Sequence, residues 1–158
     1  MKLIEKTTPA ELDVLDRVCN ELRRQTALEG RERLALEQTF RERFQNAESL
    51  LRGRNVSRYH FSPSGRVVWS VKGRLGTYQV IPETNFCSCD DYYFRVMDNK
   101  KQVCYHYLAQ RLAETIGLYE SVELPDEKYV SVTRQLTITS QKSRKSARSR
   151  RRKRRASF

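Results

Sequence analysis

The chain has 158 residues, 31 Lys plus Arg against 19 Asp plus Glu, and a formal charge of +12. That length fits one compact domain with an appendage, and no apolar run approaches the roughly 18 residues that cross a bilayer. The opening residues MKLIEKTTPAEL lack the apolar stretch of a secretory signal, and four cysteines in such a chain favour metal or catalysis over disulfides. These features argue against a membrane-spanning protein and a disulfide-stapled secreted scaffold. They predict an intracellular protein with a polyanionic partner, cytoplasmic and nucleoid-associated in a prokaryote or nuclear in a eukaryote.

Residues 1–52 predict a helical region. Thr8-Pro9-Ala10-Glu11 reads as a capping box with proline at the first helical position. Leu12, Leu15, Val18, Cys19, Leu22 and Thr26 then recur at helical spacing, with Cys19 expected as a small buried hydrophobe. After a break at Gly30, one further helix is expected from Arg31, its apolar stripe formed by Leu36, Phe40, Phe44, Ala47 and Leu51 and its end by Gly53.

The period then changes. Val56–Ser62, Val67–Val71 and Thr77–Ile81 read as strands joined by the turns Pro63-Ser64-Gly65 and Gly73–Gly76, an antiparallel meander of three strands. His60, alone in the first strand, is expected to be a surface or hydrogen-bonded residue. Asp90–Met97 has room for one or two helical turns. From Tyr105, residues Leu108, Ala109, Leu112 and Ile116 mark a helix ending at Gly117. Residues 119–139 hold at most a helix over Asp126–Leu136.

The charge is not evenly spread. Ten of the basic residues lie between Ser140 and Phe158 without an acid, leaving the first 139 residues with 21 against 19 acids, a balance of +2. Residues 140–158 contain no aliphatic side chain larger than alanine and predict a disordered basic tail. Its cations, Lys142, Arg144, Lys145, Arg148, Arg150, Arg151, Arg152, Lys153, Arg154 and Arg155, are the candidate nucleic-acid contacts.

Cys87-Ser88-Cys89, fourteen intervening residues and then Cys104-Tyr105-His106 carry the sharpest chemistry. Thiols two apart on an extended segment point to one side, and a Cys just before a helix with a His in its first turn supplies a second pair. Together they offer four N or S ligands to a tetrahedral zinc ion. Four protein ligands leave no open position for a reactive water, so a structural rather than catalytic zinc is expected. The alternatives are an ordinary buried cluster or a disulfide with a bystander, and a bridge across C-x-C is disfavoured by strain. Arg95, Lys100 and Lys101 lie in the same excursion and could offset the net negative charge of three thiolates on one dication. Tyr92, Tyr93, Phe94, Tyr105 and Tyr107 are expected to pack around the metal module, with base stacking a lesser use.

The pattern C-x-C, spacer, C-x-H resembles the SWIM zinc finger, a β-β-α module, over roughly Leu50 to Leu118. Cys104-Tyr105-His106-Tyr107-Leu108-Ala109 extends it to C-x-H-x-x-A, as in the SWIM subunits of Shu-type complexes and similar small archaeal SWIM proteins. Ser62-Pro63-Ser64-Gly65-Arg66 and the run from Phe86 to Met97 look similar as well. The resemblance implies an α+β fold with a SWIM-type zinc finger at 53–118, the ligands Cys87, Cys89, Cys104 and His106, and a packing role for Ala109. It also implies no enzymatic activity and a RecA-like recombinase paralogue as partner in homologous recombination. The competing readings are an RNA- or ribosome-associated basic protein whose zinc module is only scaffold, and a DNA-binding regulator.

Overall fold

The computed structural model describes residues 10–25, 27–98 and 101–156. Thr8 and Pro9 of the expected capping box, Thr26 and Lys100 lie outside the described residues. Among the described residues no helix is long and apolar enough to cross a membrane.

Helix α1 spans Glu11–Leu22 and buries Val14, Leu15, Val18, Cys19 and Leu22. The expected second helix is two helices, α2 (Gly30–Phe40) and α3 (Glu42–Arg52), parted by Arg41 at φ 51° and ψ −118°. A straight helix would aim the stripe from Leu36 to Leu51 at one neighbour. The break lets α2 pack against α1 while α3 packs against α4 (Tyr105–Ile116). Nothing in the sequence marks it, because a positive φ is uncommon outside glycine. The close of α3 is similar. Gly53 keeps helical angles and Arg54 takes φ 52°, so that Asn55 N–H reaches Leu50 O at 3.0 Å in a Schellman arrangement.

The sheet has five strands rather than three. Strands β1 (Val56–Ser62), β2 (Val67–Lys72) and β3 (Thr77–Ile81) form the expected antiparallel meander, extended by β4 (Phe86–Cys87) beyond β3 and by β5 (Glu120–Pro125) beyond β1. Strand β5 runs parallel to β1, pairing Ser57 with Glu120 through Ser62 with Pro125. Its pattern of two apolar residues among acids, closed by proline, is that of a half-exposed edge, too short to stand out as a strand.

Alternate residues of a strand face opposite sides, and here both sides are covered. Val56, Trp69, Val71, Tyr78 and Val80 join residues from α1 to α4 in one core, which also takes in Cys87, Cys89 and Cys104. Trp69 is buried there, edge-on to Tyr119 at 4.9 Å. The change at residue 53 is therefore one of secondary structure and not of core. On the other face, Phe61 and Val68 form a smaller cluster with Leu136, flanked by Tyr59, Leu124, Tyr129 and Val132.

Leu136 belongs to α5, which runs from Tyr129 to Ala156, after a 3-10 turn over Asp126–Lys128. This corrects the expectation of a disordered tail from Ser140. Packing of Tyr129, Val132 and Leu136 on the sheet offsets the cost of nucleation, and Ser140–Ala156 then adds residues without Gly or Pro. Arg, Lys, Gln and Ala are good helix formers, and cations at a helix C-terminus oppose its dipole favourably. The β1–β2 turn anchors the start. Ser64 donates through N–H (3.1 Å) and Oγ (2.7 Å) to the Asp126 carboxylate, and the Arg66 guanidinium lies 3.9 Å from the Tyr129 ring centre.

One ion pair ties the helical layer to the segment ahead of Cys104. Arg43 on α3 donates to the Glu11 carboxylate and to Val103 O (2.8 Å), while Glu11 also accepts Gln102 N–H at 2.9 Å. Burial raises the Glu11 pKa, but the bonds from Arg43 and Gln102 outweigh it and hold the carboxyl below its ordinary value of 4.5. A carboxyl lowered in the folded state contributes stability above the unfolded value, lost as pH falls through the folded one. Glu11→Gln should therefore cost about 1–2 kcal/mol at neutral pH and progressively less below pH 4.5. Urea midpoints of both proteins against pH check this: curves that do not converge in acid would contradict it.

Candidate metal centre

The register of β4 sets the first half of the site. Cys87 pairs with Val80 on β3. Ser88 N–H then donates to Gln79 O (3.0 Å), and Ser88 Oγ accepts Gln79 N–H (2.9 Å). With Ser88 clamped to the sheet, Cys87 and Cys89 lie on the same side. The chain next makes a π-helical turn over Tyr92–Val96, where a single or double α-turn is expected. Its opening N–H, from Tyr92, points at Cys89 Sγ at 3.3 Å.

The second half comes from the start of α4. Cys104 is the N-cap, its Sγ accepting Tyr107 N–H at 3.4 Å, and His106 stands in the first turn. The ligand atoms of Cys87, Cys89, Cys104 and His106 all lie within 4.8 Å of one another, and all four residues are buried. All the cysteines are free thiols. Burial pushes the Cys87 thiol well up, an effect its two cysteine neighbours reinforce. At Cys104 burial pulls the same way but is outweighed by hydrogen bonds from Cys87, Cys89 and Tyr107 N–H, which leave this thiol well below its ordinary value. These contacts favour ionisation at Cys104, and the thiolate is the form in which sulfur binds metal.

His106 gives the clearest test of fit. Neither ring nitrogen has a hydrogen-bond partner among the described residues, although the residue is only 4% exposed. Leaving a buried polar atom unpaired costs about 1–3 kcal/mol, which a metal on one nitrogen removes. The ring sits between Tyr78 and Tyr105, with centroids at 4.6 and 4.0 Å. Three thiols and an imidazole at this spacing form a donor set for a tetrahedral, borderline-soft cation.

Gly73 completes the enclosure. A Cβ there would fall 2.5 Å from His106 Nε2 and 3.1 Å from Tyr78 Cε2. The imidazole cannot swing aside, because two tyrosine rings hold it. Gly73→Ala should weaken metal affinity about ten- to a hundredfold with the fold retained. Competition against a chromophoric chelator measures it, and unchanged affinity would show that the ring has room to move. In sequence Gly73 reads only as a turn residue. Its approach to position 106 depends on tertiary packing.

Other expected site residues take more ordinary places. Ala109 is fully buried on α4 within the main core. Cys19 is buried on α1 with its thiol pKa raised by burial, and His60 bonds Glu123 on β5 at 2.7 Å. Arg95 and Lys101 lie 3.3 and 3.8 Å from Asp91, so the carboxylate beside the site takes the charge compensation expected for the sulfurs. Tyr92 and Tyr93 pack on Phe86, and Tyr107 is buried with its hydroxyl donating to Asn85 Oδ1 at 2.7 Å. Phe94 alone of this group is largely exposed. The basic residues stand apart from the metal cluster on α5, where Lys142, Lys145, Arg148 and Arg150 to Arg154 are exposed, and Arg144 and Arg155 belong to the same helix.

No family model matches the chain, and no solved structure does. The chain is 33% identical over 78 residues to a curated protein from Dictyostelium discoideum described as "Zinc finger SWIM domain-containing protein 7 homolog". The match takes in 48% of this chain, which spans about half (50%) of that relative's length. The SWIM resemblance read from the Cys and His spacing is thus met by a relative of that description and by a buried Cys3His cluster that fits a SWIM zinc site.

Proposed function

We propose that the chain is a non-enzymatic, zinc-stabilised adaptor that binds nucleic acid and a RecA-like recombinase or its paralogue in homologous recombination. The observation that carries the zinc assignment is the enclosed cluster of three thiols and an unpartnered imidazole. Four protein donors complete a tetrahedron and leave no position for substrate or reactive water, which favours a scaffold over a catalyst. Support for the recombinase partner is the extended C-x-H-x-x-A motif and the similarity to a SWIM domain-containing relative. Nuclease-treated pull-down from source cells tests that partner. Recovery of a recombinase-related protein is expected, and its absence with zinc still bound would overturn the assignment.

The nucleic-acid role rests on the exposed cations of α5. Removing residues 140–158 should abolish most binding at moderate salt, and binding by the whole chain should fall with salt by a log–log slope of about −0.9 per phosphate contacted on duplex DNA. Unchanged affinity after the deletion would refute the role given to these cations. Co-sedimentation with ribosomes, lost on the same deletion, is the result that would instead favour an RNA-associated protein.

A further inference from the structure

The basic segment is part of a helix, and its cations surround the axis. Leu136 is the last buried residue of α5 among those described, α5 also packs on β3, and the cation-bearing residues 142–156 continue the helix for about 22 Å. Residues two apart on a helix are separated by about 200° around the axis. Arg148 and Arg152 therefore lie along one side and Arg150 and Arg154 along nearly the opposite one, all exposed. Lys145 and Lys142 lie about one and two turns earlier, and Lys142 adds a further direction. No aliphatic side chain larger than alanine follows Ile138, and no acidic residue follows Glu127. A helix built to lie on a protein surface would continue an apolar stripe, and one built to lie along a flat array of phosphates would keep its charge on one face. This helix presents positive charge on both flanks at once.

We propose that the C-terminal half of α5 binds duplex DNA as a helix seated in the major groove, its cations reaching phosphates on both walls. A helix with side chains is about 10–12 Å across and the B-form major groove about 12 Å wide, so the two match. The cationic length of about 22 Å covers about two-thirds of a turn of duplex. The major groove of A-form RNA is too narrow and deep for such an element. In free protein the like charges repel along the helix; groove phosphates neutralise them, so binding and helicity support each other.

The inference rests on the reading that the basic segment binds nucleic acid, and one substitution separates the two. Ser149 is an exposed, uncharged position between the cations. Ser149→Pro keeps every charge but breaks the helix, while Ser149→Ala keeps both. With the full zinc-loaded chain and a short mixed-sequence DNA duplex, the proline variant should bind about tenfold or more weakly than the alanine variant. Guanine N7 atoms in the major groove should be protected from dimethyl sulfate by the alanine variant and lose that protection with proline. Both variants should keep wild-type zinc content, since Ser149 lies thirteen residues beyond Leu136, the last buried position described on α5. If the tail deletion abolishes binding while the proline variant binds as tightly as the alanine one, the groove proposal fails and the nucleic-acid reading stands. Equal affinity for an RNA duplex of the same sequence would also overturn it.

Discussion

Cys104→Ser should release the metal and unfold the segment around it. Cys104 is fully buried and caps α4, so its loss removes both a ligand and the sulfur that receives Tyr107 N–H. Structural zinc sites contribute on the order of 10–16 kcal/mol of apparent binding free energy, comparable to or larger than the net stability of a domain this size. Metal analysis of the purified wild-type chain should give one zinc per molecule, with little retained in Cys104→Ser or His106→Ala. Cys19→Ala serves as control, because Cys19 is equally buried but lies on α1 outside the cluster. Stoichiometric metal in both ligand variants would rule out the assignment.

Phe44→Ala should be the most damaging change away from the metal. Phe44 is fully buried on α3, in the same cluster as Leu108, Cys87 and Cys104. Truncating a buried phenylalanine costs about 3–5 kcal/mol, through lost transfer energy and the cavity left behind. In a chain of this size that lowers the melting temperature by about 10 °C or more. The more telling readout is metal exchange. If the N-terminal helices and the metal module share one core, Phe44→Ala should also speed zinc loss to a chelator, because the openings that expose the site become more frequent. An unaltered exchange rate beside a lowered melting temperature would show two independent units.

The metal ligands were legible in the sequence because their chemistry is local. Cys87 ends a short strand with Cys89 two residues on, and Cys104 and His106 share the start of one helix, so spacing alone announces them. The apolar periods of α1, the meander and α4 were legible for the same reason. What escaped depends on distant partners. Arg41 breaks a helix whose stripe looks continuous, since two neighbours rather than one await its halves. Strand β5 exists because β1 offers a free edge, and its own six residues say little. Gly73 matters only through the imidazole that the fold carries to it. The basic segment was misjudged because its composition, taken alone, argues for disorder. Its helix is seeded upstream, by Tyr129, Val132 and Leu136 on the far face of the sheet.

That far face also sets an order of events during synthesis. Strand β1 is made early, but its parallel partner β5 and the covering turns of α5 come after the metal ligands have all emerged. The metal module can therefore close first, while Phe61 and Val68 remain bare until Leu136 has left the ribosome. A nascent or truncated chain ending before that point presents an apolar patch on a twisted sheet, the kind of surface that draws chaperones or aggregates. Once Leu136 has emerged and α5 lies on the sheet, the patch is covered and the hazard ends.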